Sequence, residues 1–377
     1  MKRLAWENFP LPLIQVNPPN RNVVNEYLDK SYESGVFTNR GLLQREASKQ
    51  LSKHVASTLE GYLASSNTAA LTSCLIAAGV RNRHVLMSNF TFAATLHAVI
   101  MAGGIPVLCD VDAKSCEMNV DQVKKLISED NFDIAAIVPT RVFGFVNDYS
   151  DLIQYCKSAE IPVVVDAAAT FPAKEDSWHF DKYALYEVFS LHATKVFGIG
   201  EGGLVVGEDS AIQRVIQTSN FGIKENENTI EDGLNAKADE FTAARALARI
   251  SEYENDVELR RKFVEIYKNE IQRSGNVQYL QDNKLTIYNY FPVIFKDADS
   301  LAKFKSKVDP YIITRKYYSP SISAGYKGSA MILKTEDLSV SESISTRILA
   351  LPVYVSVEPE TSHELQKLVR TALGELN

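Results

Sequence analysis

A single lysine, Lys195, lies in the stretch EVFSLHATKVFGIGEGG over residues 187–203. The stretch opens on strand-like Val188 and Phe189 and closes on Gly198, Gly200, Gly202 and Gly203, a cluster that only a turning backbone needs. An amine held among small and apolar neighbours is how proteins make a Schiff-base nucleophile toward an aldehyde or ketone. A lysine on a solvated hairpin loop is the plain alternative, weakened by the company of Ser190, His192, Thr194 and Glu201. A second chemical group is Asp166, which ends the all-valine run Val163-Val164-Val165. There a carboxylate either caps the next turn or faces a ligand while shielded by a sheet. Arg141 follows another apolar run, where an unpaired charge is costly. It reads either as half of a structural ion pair or as a receptor for a carboxylate. Ser66, Asn67 and Thr68 open an apolar helix, as a simple N-cap or as an anion site.

The elements that must position these groups alternate. Helical patterns are predicted over 67–79, 91–101, 120–127 and 149–157, with short apolar strands over 84–87, 105–109, 134–138 and 161–165. Short strands nearly continuous in Val, Ile and Leu indicate a mostly parallel sheet covered on both faces. Ligands of such sheets sit at the carboxyl ends of the strands, which is where Asn67, Phe92, Arg141 and Asp166 fall. An alanine-rich helix over 239–250 is predicted next, then a charged helix over 252–271. An alternating strand over 285–295 and two terminal helical stretches follow, reading as a small α+β domain. The expected division is 1–247 and 248–377.

With 377 residues, 45% hydrophobic and 23% charged, the chain has the composition of a soluble globular protein, and its length suits two domains. A net charge of −7 without a basic run excludes a nucleic-acid polymer as the expected partner. Four cysteines without a CxxC pair read as buried thiols of a reducing compartment. The first twenty residues, broken by Pro10 and Pro12, do not read as a signal peptide. The apolar run over 92–108 contains His97 and the Gly103-Gly104 break, so no membrane span is expected. The expected location is cytoplasmic.

The segment FSLHATKVFGIGEGG resembles the cofactor-lysine segment of the DegT/DnrJ/EryC1/StrS aminotransferases, which use pyridoxal phosphate (PLP) on nucleotide-linked keto-sugars. Anchors in the family's order run from Asn39 to Pro320. The resemblance implies the aspartate-aminotransferase-like fold type I of PLP enzymes: a large α/β domain with a mostly parallel sheet, plus a smaller C-terminal α+β domain. It implies Lys195 as the cofactor lysine and Asp166 as the carboxylate against the pyridine nitrogen. Asn67, Thr68 and Ser190 match residues on the PLP phosphate, and Phe92 matches an aromatic stacked on the pyridine ring. Ala169 stands near the cofactor's phenolic oxygen, where the family usually has Gln or His, and Arg141 stands where it often has His. The GxN segment Gly233-Leu234-Asn235 implies a homodimer with shared active sites, Asn235 touching the partner's PLP phosphate. Asn39 belongs to a TNxG segment bordering the site. Arg315, Lys316 and Tyr317 of RKYYSP resemble an RKYFYP-like segment beside the sugar nucleotide.

The implied reaction is ping-pong transfer of an amine from L-glutamate to a keto-sugar. RKYYSP looks most like members acting on dTDP-4-keto-6-deoxyglucose, giving a dTDP-4-amino-4,6-dideoxy sugar. Amination at carbon 3 of a dTDP-3-keto-6-deoxy sugar, or of a GDP-4-keto-6-deoxy sugar, stays open, and a part in O-antigen or another glycan is the family's implication. Family members with His in place of the lysine are dehydratases, and Lys195 argues against that. A cysteine desulfurase would need a loop cysteine. A PLP-binding regulator would need an appended basic helix-turn-helix, which neither terminus reads as.

Overall fold

The computed structural model describes residues 3–146, 148–171, 185–224, 230–275, 277–335 and 337–376. Its first half alternates as the hydrophobic pattern predicts. After α1 (Arg21–Ser34) and α2 (Leu42–Val55) come β1 (Glu60–Ala64), α3 (Asn67–Ala77), β2 (His84–Ser88), α4 (Ala93–Met101) and β3 (Ile105–Cys109). They are followed by α5 (Val120–Ser128), β4 (Ile134–Val138), α6 (Ser150–Ser158), β5 (Val164–Asp166), β6 (Tyr186–Ser190), β7 (Gly203–Gly207) and α7 (Asp209–Thr218). Two ladders, β1-β7-β6-β5 and β3-β2-β4, are joined by parallel bridges Ile137–Val163 and Thr140–Asp166. The result is one sheet ordered β1-β7-β6-β5-β4-β2-β3, in which β7 alone runs antiparallel to its neighbours. Every residue of β4, β5, β6 and β7 is buried, which is why β4 and the valine run ending at β5 read as continuous apolar runs without alternation, while β6 carries a buried Glu187.

The second half contains α8 (Glu240–Ser274), β8 (Val277–Tyr279), β9 (Phe291–Phe295), α9 (Ala298–Val308) and α10 (Ile322–Gly325), then β10 (Leu333–Lys334), α11 (Ser339–Arg347), β11 (Ile348–Leu351) and α12 (Pro359–Gly374). An antiparallel sheet, β11-β9-β8, packs with α9, α12 and the far end of α8. β10 instead returns to the edge of the large sheet beside β3.

Two features differ from the sequence pattern. The helices expected over 239–250 and 252–271 are one 35-residue helix, α8, so the expected domain boundary at 247/248 falls inside it. No glycine or proline interrupts it, and buried Arg249 pairs with Asp256 across two turns. Its first half, with Leu247, Tyr253 and Val257, joins the large core, and its second half, with Phe263, Val264 and Tyr267, joins the small one. The strand expected over 285–295 pairs only from Phe291 onward. Upstream, the backbone leaves the sheet: Ile287 N–H donates to Gly144 O (2.9 Å) and Tyr290 N–H to Phe143 O (3.3 Å). Phe143 (φ 57°) and Gly144 (φ 95°) are left-handed. A Cβ on Gly144 would lie 2.6 Å from Asn289 N, so only glycine allows this approach.

Candidate active site

A cavity of about 310 Å³ opens where β4, β5 and β6 end, the place a parallel sheet offers a ligand. Lys195 enters it from the loop between β6 and β7. That loop is tight: Lys195 N–H donates to His192 O (2.8 Å) and Ala193 N–H to Gly200 O (2.7 Å). A Cβ on Gly198 would stand 2.7 Å from Ala193 O, and Gly200 has φ 115°. The glycine cluster therefore serves the turn that presents the lysine. Burial draws the Lys195 amine below its ordinary 10.5, against the opposing charge of Asp166.

Asp166, 3% exposed, ends β5. Its Oδ2 accepts from Thr95 Oγ1 at 2.6 Å and its Oδ1 from Ala168 N–H at 3.1 Å. Burial raises the carboxyl above 3.8, while the hydrogen bonds from Thr95 and Ala168 and the charge of Lys195 pull it back. Behind Thr95 runs a chain of hydroxyls: Thr91 Oγ1 lies 2.8 Å from Thr95 Oγ1 and 3.0 Å from Thr140 Oγ1. The sequence reading missed Thr95. The available signal was its i,i+4 spacing from Thr91 in the helical pattern predicted over 91–101, although α4 itself begins only at Ala93.

At the opposite wall α3 begins. Ser66 caps it by accepting from Ala69 N–H (3.2 Å), and Asn67 Nδ2 donates to Val188 O (3.3 Å). Ser66, Asn67, Thr68 and Ser190 all line the cavity, so a positive helix end and three hydroxyls converge there. Gly203 permits it: a Cβ there would be 2.4 Å from Ser66 O and 2.7 Å from Asn67 N. Phe92, 50% exposed, lines the cavity with an open ring. Ala169 also lines it and, as a methyl, offers no hydrogen bond.

Arg141 lines the cavity, but its guanidinium pairs with Glu187; the two side chains are 2% and 0% exposed. The ion pair is thus present in the fold, and Arg141 still borders the cavity. Arg315 and Tyr317 line the cavity too, the Arg315 guanidinium 4.6 Å from the Tyr317 ring centre. Lys316 is half-buried and is not among the lining residues. Asn39 (φ 59°) and Asn235 are exposed and line no part of this single-chain cavity. Tyr318, the second tyrosine of RKYYSP, lines it as well, and Thr140, Phe143, Asn289 and Tyr290 line it without having been singled out from the sequence.

These groups fit PLP by their chemistry: a helix start with hydroxyls for a phosphate dianion, a buried carboxyl for a ring nitrogen, an amine with lowered pKa for an aldehyde, and an aromatic face. Thr95→Val keeps the shape and removes the donor to Asp166. It is expected to weaken PLP binding by roughly tenfold or more, since hydrogen bonds to charged groups are the strong ones. Titration of cofactor-free protein with PLP checks this; an unchanged Kd would show that Thr95 does not support the carboxylate.

Comparison with known proteins agrees. A model of the DegT/DnrJ/EryC1/StrS aminotransferase family matches residues 20–370. The chain is 27% identical to Protein Rv3402c of Mycobacterium tuberculosis (strain ATCC 25618 / H37Rv), over 93% of this chain and 87% of the relative. It is 23% identical to the dTDP-4-amino-4,6-dideoxy-D-glucose transaminase of Shigella dysenteriae, over 96% of this chain and 98% of the relative. The crystal structure of DesI in the presence of its TDP-sugar product is similar with a TM-score of 0.85 and 25% identity, covering 98% of this chain and 94% of that one.

Proposed function

The chain belongs to the DegT/DnrJ/EryC1/StrS aminotransferase family and is a PLP-dependent sugar aminotransferase; within that family we propose that it transfers the amino group of L-glutamate to dTDP-4-keto-6-deoxyglucose, giving a dTDP-4-amino-4,6-dideoxy sugar. The observation that carries this reading is the meeting of Lys195 and Asp166 in one cavity whose exposed edge holds Arg315 against Tyr317. A guanidinium beside an aromatic ring suits a pyrophosphate with its base or sugar. The name of the Shigella transaminase favours a dTDP-linked sugar, and the structure of DesI with its TDP-sugar product supports the same choice. Amination at carbon 3 of a dTDP-3-keto-6-deoxy sugar, or of a GDP-4-keto-6-deoxy sugar, is the second reading.

PLP, when bound, supplies the electron sink that makes the carbon bearing the amine acidic. The chain's own groups do the rest. The start of α3 with Asn67, Thr68 and Ser190 would hold the phosphate, and Asp166 would keep the ring nitrogen protonated. Lys195 Nζ, with its lowered pKa, would take the proton from the α-carbon of glutamate and pass it to the cofactor in one half-reaction, and would carry a proton from the cofactor to the sugar carbon in the other. The reading includes a homodimer, in which the exposed Asn235 reaches the partner's phosphate site, and a cytoplasmic role in deoxyamino-sugar or O-antigen assembly.

Absorbance of purified, PLP-loaded protein tests it. The cofactor band is expected to vanish with L-glutamate and return with dTDP-4-keto-6-deoxyglucose. A band lost with glutamate but restored only by another keto-sugar moves the acceptor. A band indifferent to glutamate rejects the amino donor.

A further inference from the structure

Asn289 is 3% exposed and lines the cavity, yet neither its Oδ1 nor its Nδ2 has a hydrogen-bond partner among the described residues. Buried amides are almost always satisfied, and leaving both ends open is expensive. Nor is its position a matter of slack. The backbone on either side is fixed by Ile287 N–H to Gly144 O and Tyr290 N–H to Phe143 O. Arg260 Nη1 donates to Tyr288 O at 2.9 Å between them. The fold thus spends a left-handed turn at Phe143-Gly144 and an interrupted strand to hold a carboxamide in the cavity wall.

We propose that Asn289 is the residue by which this site tells the keto-sugar from the amino acid, its carboxamide donating to one sugar oxygen and accepting from a neighbouring hydroxyl. The inference rests on the aminotransferase reading above and deepens it. Both substrates visit the same cavity in turn. The carboxylates of glutamate only accept, so they would meet Nδ2–H but set anionic oxygens against Oδ1. A sugar hydroxyl both donates and accepts, and adjacent sugar oxygens satisfy both ends of the amide at once. A thymine base also carries a donor beside acceptors. The placement favours the sugar: Asn289 is in the interior, whereas Arg315, the group suited to a diphosphate, is exposed at the edge.

The test uses PLP-loaded protein and measures each half-reaction separately for wild type, Asn289→Leu and Asn289→Ala, together with binding of dTDP. The expected result is a KM for the keto-sugar raised about tenfold or more, with the L-glutamate half-reaction and dTDP affinity within about twofold of wild type. The glutamate half-reaction also reports that the variants are folded. Equal slowing of both half-reactions, in both variants, would assign Asn289 to the fold and overturn the proposal. A matching loss of dTDP affinity would assign it to the base, and an unchanged sugar KM would leave it no part in recognition; either overturns it. The keto-sugar used is whichever restores the wild-type band. If none does, the sugar aminotransferase reading falls and takes this inference with it, an outcome visible in the wild type alone.

Discussion

Lys195→Ala is expected to lower turnover by about 10²–10⁴-fold, while the protein keeps its fold and still binds PLP noncovalently. The cofactor contacts assigned to α3, Ser190 and Asp166 do not pass through the lysine. The lost group is the one that moves the proton in both half-reactions, so both should fall together. Lys195→Arg is not expected to restore activity: a guanidinium stays protonated, whereas burial draws the Lys195 amine down from 10.5 and provides a fraction of free base. Single-turnover kinetics with L-glutamate and with the keto-sugar measure the two losses. Turnover of Lys195→Ala within tenfold of wild type would remove Lys195 from the chemistry.

How far the site could be read in advance divides along a physical line. Lys195 and its glycines were legible because the turn that presents the amine is made by adjacent residues: Gly198 lies against Ala193 and Lys195 of the same loop, and Gly200 has a φ of 115°. Asp166 was legible because a carboxylate ending a strand of three valines is anomalous locally. Thr95 and Asn289 were not, because their meaning comes from partners far along the chain. Thr95 matters through Asp166, 71 residues away. Asn289 sits in LTIYNYFPVIF, an alternating pattern that a strand satisfies as well as a segment bonded to a distant turn. In a continued strand its amide would have shared a face with Ile287, Phe291 and Val293; with Ile287 and Tyr290 bonded to Gly144 and Phe143 instead, it lines the cavity. The large sheet followed from the continuous apolar strands, since burial on both faces writes itself into composition. The length of α8 did not, because a helix that passes from one core to another changes its buried face midway and looks like two.

Glu187→Ala is expected to destabilise the protein by about 3–5 kcal/mol, the cost of taking one partner from a buried ion pair. Glu187 lies in β6 at 0% exposure and its carboxylate meets Arg141 at the end of β4. Without it the Arg141 guanidinium loses the buried carboxylate it pairs with. Denaturant unfolding of wild type and variant under the same PLP concentration gives the difference, and a loss under about 1 kcal/mol would mean that the pair holds little of the fold. The double variant Arg141→Met with Glu187→Leu sharpens the point. Removing both charges also removes their desolvation cost, so stability near wild type or above it is expected. That variant then separates the two roles open to Arg141, which lines the cavity as well as pairing. If the stable double variant keeps both half-reactions, Arg141 is there for β6 and Asp166 beside it. If the glutamate half-reaction alone collapses in a protein that is fully folded, the guanidinium also receives the carboxylate of the amino donor, and Glu187 serves to aim it.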